Sequence, residues 1–171
     1  MLFNKKNKHV KIGIIGEIIA KYYIETVKKE QFIKHNTNDA YDLKTNKGLY
    51  EVKTDLNYIK FNSIFCEYKS NETPSGITTS ISDFYIFICP NNRRFQEIKI
   101  FEIKTIFLKN LINSEAVISR NADCYDYNNK IVGVNFGYII GDELLEQLGV
   151  VFELKPENDA PDLYKKLIEY F

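Results

Sequence analysis

Between Val10 and Tyr23 apolar side chains recur at helical spacing. Val10, Ile14, Ile18 and Tyr22 form one stripe, and Ile15, Ile19 and Tyr23 a second beside it, which predicts a helix over about residues 10–30. The period then shortens. Gln31–His35 reads as a short strand, Asn36–Asp39 as a turn, and Ala40–Leu43 and Leu49–Thr54 as two strands. The polar run Lys44-Thr-Asn-Lys-Gly48 joins those two as a hairpin, with Gly48 suited to positive φ. Ser63–Tyr68 is a further strand, followed by a polar loop over Lys69–Gly76. Phe84–Cys89 (FYIFIC) is apolar throughout, the pattern of a central strand covered on both faces. Beyond a turn at Pro90–Arg94, strands are predicted over Glu97–Ile103, Val117–Arg120 and Ile131–Ile140. Helices are predicted over Lys104–Ile112, Asp142–Leu148 and Asp162–Phe171, with Gly141 or Asp142 capping the second and Asp159 or Asp162 the third. A helix, several strands and then mixed elements indicate an α/β or α+β sheet domain with helices on its faces.

The 171 residues suit one domain, 1–171, able to bury a core without disulfides. Lys+Arg and Asp+Glu each total 23, so no overall basic excess marks a nucleic-acid binder; clustered carboxylates offsetting a basic rim would give the same sum. Cys66, Cys89 and Cys124 are odd in number and far apart, and His9 and His35 are the only histidines. A zinc site is therefore disfavoured and a reducing compartment favoured. Met1–Lys11 lacks a secretory apolar run, and no stretch reaches the length of a membrane span. A cytoplasmic location and no membrane partner are expected.

The stretch that carries chemistry runs from Asp42 to Lys53. If the two strands pair, Asp42 stands on one, while Glu51 and Lys53, two apart on the other, project from one face. Two carboxylates and an ammonium would then converge. Carboxylate oxygens suit Mg²⁺, which retains waters and takes a phosphate oxygen. Lys53 would orient or deprotonate a water, or stabilise charge on phosphorus. The same residues also suit a solvated strand face with an ion pair contributing about 0.2–1 kcal/mol. Glu17 lies in the otherwise apolar run Gly13-Ile-Ile-Gly-Glu-Ile-Ile-Ala and needs a cation or other partner there, Lys21 being one at i+4.

Asp42, eight intervening residues and Glu51-Val52-Lys53 resemble the motif of the PD-(D/E)xK nuclease superfamily, which includes restriction enzymes and Holliday-junction resolvases. Tyr41 stands where the motif's proline would be. A second segment is similar to phage and bacterial nucleases of this kind: a strand ending Glu67-Tyr68, then Pro74-Ser75-Gly76-Ile77-Thr78-Thr79, then Asp83 before an apolar strand, with Ser82 in place of the usual alanine. The two segments cover roughly residues 13–89 and place the catalytic core at about 10–90; the C-terminal half completes the fold without a recognisable motif.

The resemblance implies a restriction-endonuclease-like fold, a mixed central sheet flanked by helices. It implies a Mg²⁺-dependent DNA endonuclease, with Mn²⁺ able to substitute. Asp42, Glu51, the Val52 carbonyl and Glu17 would hold the metal, and Lys53 would act on the water. Glu67 would hold a second metal through water, contact the Lys53 region, or pair with Lys69. Lys8 and Lys11 would rim a DNA groove, and Ser75, Gly76, Thr78 and Thr79 would grip phosphates. Asp83 reads as a turn cap, and Asp39 and Asp55 as carboxylates that merely flank the motif. Without a visible recognition domain, a junction resolvase is favoured over a restriction or repair nuclease, and a homodimer is expected. A non-catalytic DNA- or protein-binding module is the rival from another class.

Overall fold

The computed structural model describes residues 6–36, 41–114, 116–125 and 130–170, the side chains of 6–9 and 125 excepted. Its strands form two sheets. The first runs β1 (Phe32–His35), β2 (Leu43–Thr45), β3 (Leu49–Thr54), β6 (Phe84–Pro90), β7 (Ile98–Lys104), β10 (Val150–Leu154). Only β3 and β6 pair in parallel; the other neighbours are antiparallel. The second sheet is antiparallel, in the order β5 (Thr73–Pro74), β4 (Ser63–Ser70), β9 (Ile131–Gly141), β8 (Ile118–Tyr125). Helices are α1 (Lys6–Tyr22), α2 (Tyr58–Phe61), α3 (Thr105–Asn113), α4 (Asp142–Leu148), α5 (Pro156–Asp159) and α6 (Pro161–Ile168). The chain is thus mixed α/β, but its strands do not share one sheet: β4 and β5, with β8 and β9 from beyond residue 117, build the second, while β10 returns to the first.

Alternation along the strands explains the layers. Tyr50 and Val52 of β3, Ile86 and Ile88 of β6, and Ile98 and Ile100 of β7 point to one face, where Ile15 and Ile19 of α1 and Leu163 and Leu167 of α6 cover them. Tyr85, Phe87 and Cys89, with Phe101 and Ile103, point to the other. There they meet Ile64 and Cys66 of β4, Ile140 of β9, and Leu108 and Leu145 of α3 and α4. The FYIFIC strand is buried on both faces, as its composition predicts.

The first helix buries the second of its two apolar stripes and departs from expectation in its end. Val10 and Ile14 are exposed, at 62% and 38%, while Ile15, Ile19, Ala20 and Tyr23 are buried. Gly16 accounts for this. A Cβ there would lie 1.9 Å from Thr54 Oγ1, so the missing side chain lets α1 lie directly on β3 and turns residues 15, 19 and 20 inward. The helix does not continue to residue 30. A π-turn over Tyr23–Val27 closes with the Lys28 N–H donating to the Tyr23 carbonyl at 3.1 Å, and Lys29 at φ 57° stops it. Gly48 has no positive φ; its lack of a side chain instead admits Asp83, whose Oδ2 would lie 2.9 Å from a Cβ there. Gly141 is the N-cap of α4, one of the two residues expected there, and Asp142 heads the helix while accepting from Tyr58 and Lys99. At α6 the cap differs: Ala160, not Asp159 or Asp162, precedes the helix, without a side-chain cap.

Candidate active site

The β2–β3 hairpin brings the Asp42–Lys53 motif together, though Asp42 is not on the strand. It occupies the bend before β2, and Ala40 lies outside the described residues. Because β2 begins only at Leu43, β3 loses its partner opposite Val52. The Asp42 carboxylate takes over there: its Oδ2 accepts the Val52 N–H at 2.6 Å, and the Asp42 N–H donates to the Tyr50 carbonyl at 2.9 Å. Asp42 therefore stands at the open edge of β3, fixed to the backbone between Glu51 and Lys53.

Those two project from the face opposite α1, as their period-2 spacing requires. Lys53 Nζ lies 2.6 Å from Glu51 Oε1, with Glu51 nearly buried and the Lys53 side chain 44% exposed. Burial alone would lower the Lys53 pKa. The charge and hydrogen bond of Glu51, with the charges of Asp42 and Glu67, outweigh it and raise it. Lys53 is consequently an ammonium at neutral pH.

Glu17 joins from α1, which Gly16 seats on β3. Burial and the like charge of Asp42 raise its pKa, against a hydrogen bond and charge from His35, whose Nδ1 lies 3.2 Å from Glu17 Oε2. The helix carboxylate thus meets His35 of β1 and not Lys21, its expected i+4 partner, which pairs with Glu25. A carboxylate whose pKa is raised by a like-charged neighbour marks a place where a cation would be stabilised.

Glu67 arrives from the second sheet. The cavity between the sheets, about 250 Å³, is lined by Lys53, Asp55, Cys66, Glu67, Gly76 and Tyr85, among others. Ser75 Oγ donates to Glu67 Oε1 at 2.6 Å, and Thr78 Oγ1 to the Tyr68 carbonyl at 2.9 Å. Gly76, at φ +52°, is required: a Cβ there would lie 2.2 Å from the Glu67 carbonyl oxygen. The Pro-Ser-Gly-Ile turn is therefore folded onto the Glu67–Tyr68 strand end, and the hydroxyls of Ser75, Thr78 and Thr79 are engaged within the chain. Lys69 pairs with Glu72, not with Glu67.

The flanking residues sort themselves. Asp83 Oδ2 accepts the Leu49 N–H at 2.9 Å and caps the start of β3. Asp55 accepts the Asn57 and Phe65 N–H groups, each at 2.8 Å, and ties the end of β3 to β4. Asp39 lies outside the described residues. Lys8 and Lys11 lie on α1, the side chain of Lys8 outside the described ones.

Sequence reasoning missed Tyr85, which stands opposite Glu51 in the β3–β6 register and is buried at the floor of the cavity. Its alternation with Ile86 within FYIFIC was the available signal. Among the described residues, no three His, Cys, Asp or Glu side chains lie close enough to hold a metal between them. No family model, curated protein or solved structure matches this chain.

Proposed function

We propose that the chain is a metal-dependent DNA endonuclease on a restriction-endonuclease-like fold, hydrolysing phosphodiester bonds at the edge of β3. One observation carries the reading: Asp42 is hydrogen-bonded to the backbone between Glu51 and Lys53, with Glu17 approaching from the helix side. The oxygen-only donor set suits Mg²⁺, or Mn²⁺ in its place. Magnesium commonly uses only one or two protein carboxylates and fills its shell with waters and phosphate oxygens, so a three-acid cage is not required. Asp42, Glu51 and the Val52 carbonyl would hold it, and Glu17 would do so through water. When bound, such an ion acidifies a coordinated water and offsets charge on the phosphoryl oxygens.

The chain's own contribution follows from the geometry. The Val52 N–H fixes the direction of the Asp42 carboxylate. The Lys53 ammonium, raised in pKa by its acidic neighbours, serves as a donor: it positions the attacking water or stabilises negative charge on phosphorus, and does not act as the base. Glu67, held by Ser75, adds to the field at Lys53 from the second sheet.

Branched DNA is the favoured substrate. A junction is cut symmetrically in both strands, so the active species would be a homodimer, which light scattering would report. The test is a panel of labelled four-way junctions, flaps, single strands and linear duplex, with Mg²⁺, Mn²⁺ or EDTA. Metal-dependent cutting that Lys53→Ala abolishes is expected, strongest on the junction. A rival reading, a non-catalytic DNA- or protein-binding module, draws on the Glu51–Lys53 ion pair, which satisfies both charges without a metal. Binding of DNA in EDTA with no cutting in either metal would favour it.

A further inference from the structure

A second cavity, about 530 Å³, opens at the start of α3, away from the Asp42–Lys53 cluster. Lys47 of the β2–β3 turn, Ser82 and Asp83 ahead of β6, and Lys104, Thr105 and Lys109 around the first turns of α3 line it. We propose that this cavity binds a phosphate group.

Charge is the first argument. In a chain whose formal charges sum to zero, three lysines face one carboxylate here. That carboxylate, Asp83, accepts the Leu49 N–H at 2.9 Å. Among the described residues, none of the three lysines has a carboxylate within ion-pairing distance. Lys109 Nζ donates to the Ser80 carbonyl at 3.3 Å, which holds that ammonium at the rim.

The second argument is an unmet hydroxyl. Thr105 is 6% exposed and lines the cavity, yet its Oγ1 has no hydrogen-bond partner among the described residues. A buried hydroxyl without a partner is uncommon and asks for an explanation such as an absent ion. The third is the helix itself. α3 has nine residues, no acidic residue in its first turn and no side-chain cap. The Thr105 N–H is taken by the Asp83 carbonyl at 2.9 Å, but those of Ile106 and Phe107 have no intrahelical acceptor. Free N–H groups at the positive end of a helix, beside lysines and a hydroxyl, form a set that recognises phosphate. Exposed Ile81 and Ile106 add an apolar wall, so an organic phosphate should bind more tightly than the inorganic ion.

The phosphate comes either from a nucleic-acid backbone or from a terminal or free monoester. The backbone source rests on the nuclease reading. Phe84, which lines the cavity, pairs with Tyr50, one register position from the Tyr85–Glu51 pair.

The experiment reads binding, not cleavage. Amide shifts of the ¹⁵N-labelled chain are followed in EDTA during titration with inorganic phosphate, with thymidine monophosphate and with a dinucleotide lacking terminal phosphates. Ile106 and Phe107 should shift, and Lys47→Ala with Lys104→Ala should weaken binding about tenfold or more. Both lysines are exposed, so the variant keeps its fold. Thr105→Val should also weaken binding, and Lys165→Ala on α6 should not. A response to the dinucleotide assigns a backbone phosphate; a response only to the other two assigns a monoester. No shift at α3 with any of the three, or equal affinity in the double-lysine variant, overturns the proposal. Since no step depends on catalysis, failure of the nuclease reading would leave this result unaffected.

Discussion

Lys28 and Lys53 each lie against carboxylates, and comparing their surroundings separates a structural charge cluster from one fit for chemistry. Lys28 bridges Glu30 at 2.9 Å and Glu102 at 2.7 Å, and also donates to Tyr50 Oη at 2.7 Å. Glu30 receives Tyr50 at 2.8 Å and Thr45 at 2.9 Å as well. That cluster is closed off on the α1 face, where it ties the end of the π-turn to β2, β3 and β7. Lys53, on the opposite face, is half exposed beside a cavity and pairs with Glu51 at 2.6 Å. The acids around it come from three separate places: Glu51 from β3, Asp42 from the bend and Glu67 from β4, with Glu17 of α1 in the field of Asp42. Buried charge that is paired with its counter-ion fixes structure, here with Glu102 Oε2 alone of the cluster's oxygens lacking a hydrogen bond among the described residues. Charge converging at an open edge keeps room for water and substrate.

The largest effects should separate the two clusters by activity. Under the nuclease reading, Asp42→Ala and Lys53→Ala each lower single-turnover cleavage by about 10²–10⁴-fold with a smaller fall in the unfolding midpoint than Lys28→Ala, which lowers stability most and cleavage least. Removing Lys28 leaves Glu30 and Glu102 buried without their shared cation. Lys28→Ala should therefore cost about 3–5 kcal/mol, a fall of roughly 6–20 °C in melting temperature by calorimetry. A fall below a few degrees would show that the cluster is not the structural element claimed.

Acid sensitivity sharpens the contrast. Burial pushes the Glu30 pKa up, but hydrogen bonds from Lys28, Tyr50 and Thr45 and the charge of Lys28 push it further down, so it is lowered on folding. A lowered carboxyl contributes stability in full above its unfolded value, about 4.3. That contribution is lost as pH falls through the lower folded value. Denaturant midpoints should thus drop below about pH 4.3 in the parent and more shallowly in Glu30→Gln; parallel curves would contradict the assignment. Gly16→Ala should cost about 1–3 kcal/mol through overpacking against Thr54. It should also lower cleavage, because it displaces Glu17. Smallest, Ser75→Ala removes one hydrogen bond to Glu67, about 0.5–1.5 kcal/mol, measurable by urea denaturation.

What the sequence made legible was whatever depends on short spacing. The hairpin, the shared face of Glu51 and Lys53, the two-faced burial of FYIFIC and the capping role of Asp83 follow from periods of two residues or from turn chemistry. Relations fixed by packing were not legible. Lys28 and Glu102 are 74 residues apart, and nothing local marks Glu102 within an apolar strand as the partner of a lysine beyond the first helix. The buried stripe of α1 was not legible because two adjacent stripes are apolar, and only the approach of Gly16 to Thr54 chooses between them. The division into two sheets was equally hidden, since strand pattern records which face is buried and not which neighbour is paired.

The central claim is that Asp42, Glu51 and Lys53 form a reactive centre and not a solvated ion pair. Its most direct test is single-turnover cleavage of a labelled four-way junction with Mg²⁺ by the parent and by Lys53→Ala, each shown folded by its unfolding midpoint. The expected result is metal-dependent cutting by the parent that is lost in the variant at unchanged stability. Equal cutting by both proteins, or none by a parent that binds the junction, would contradict it.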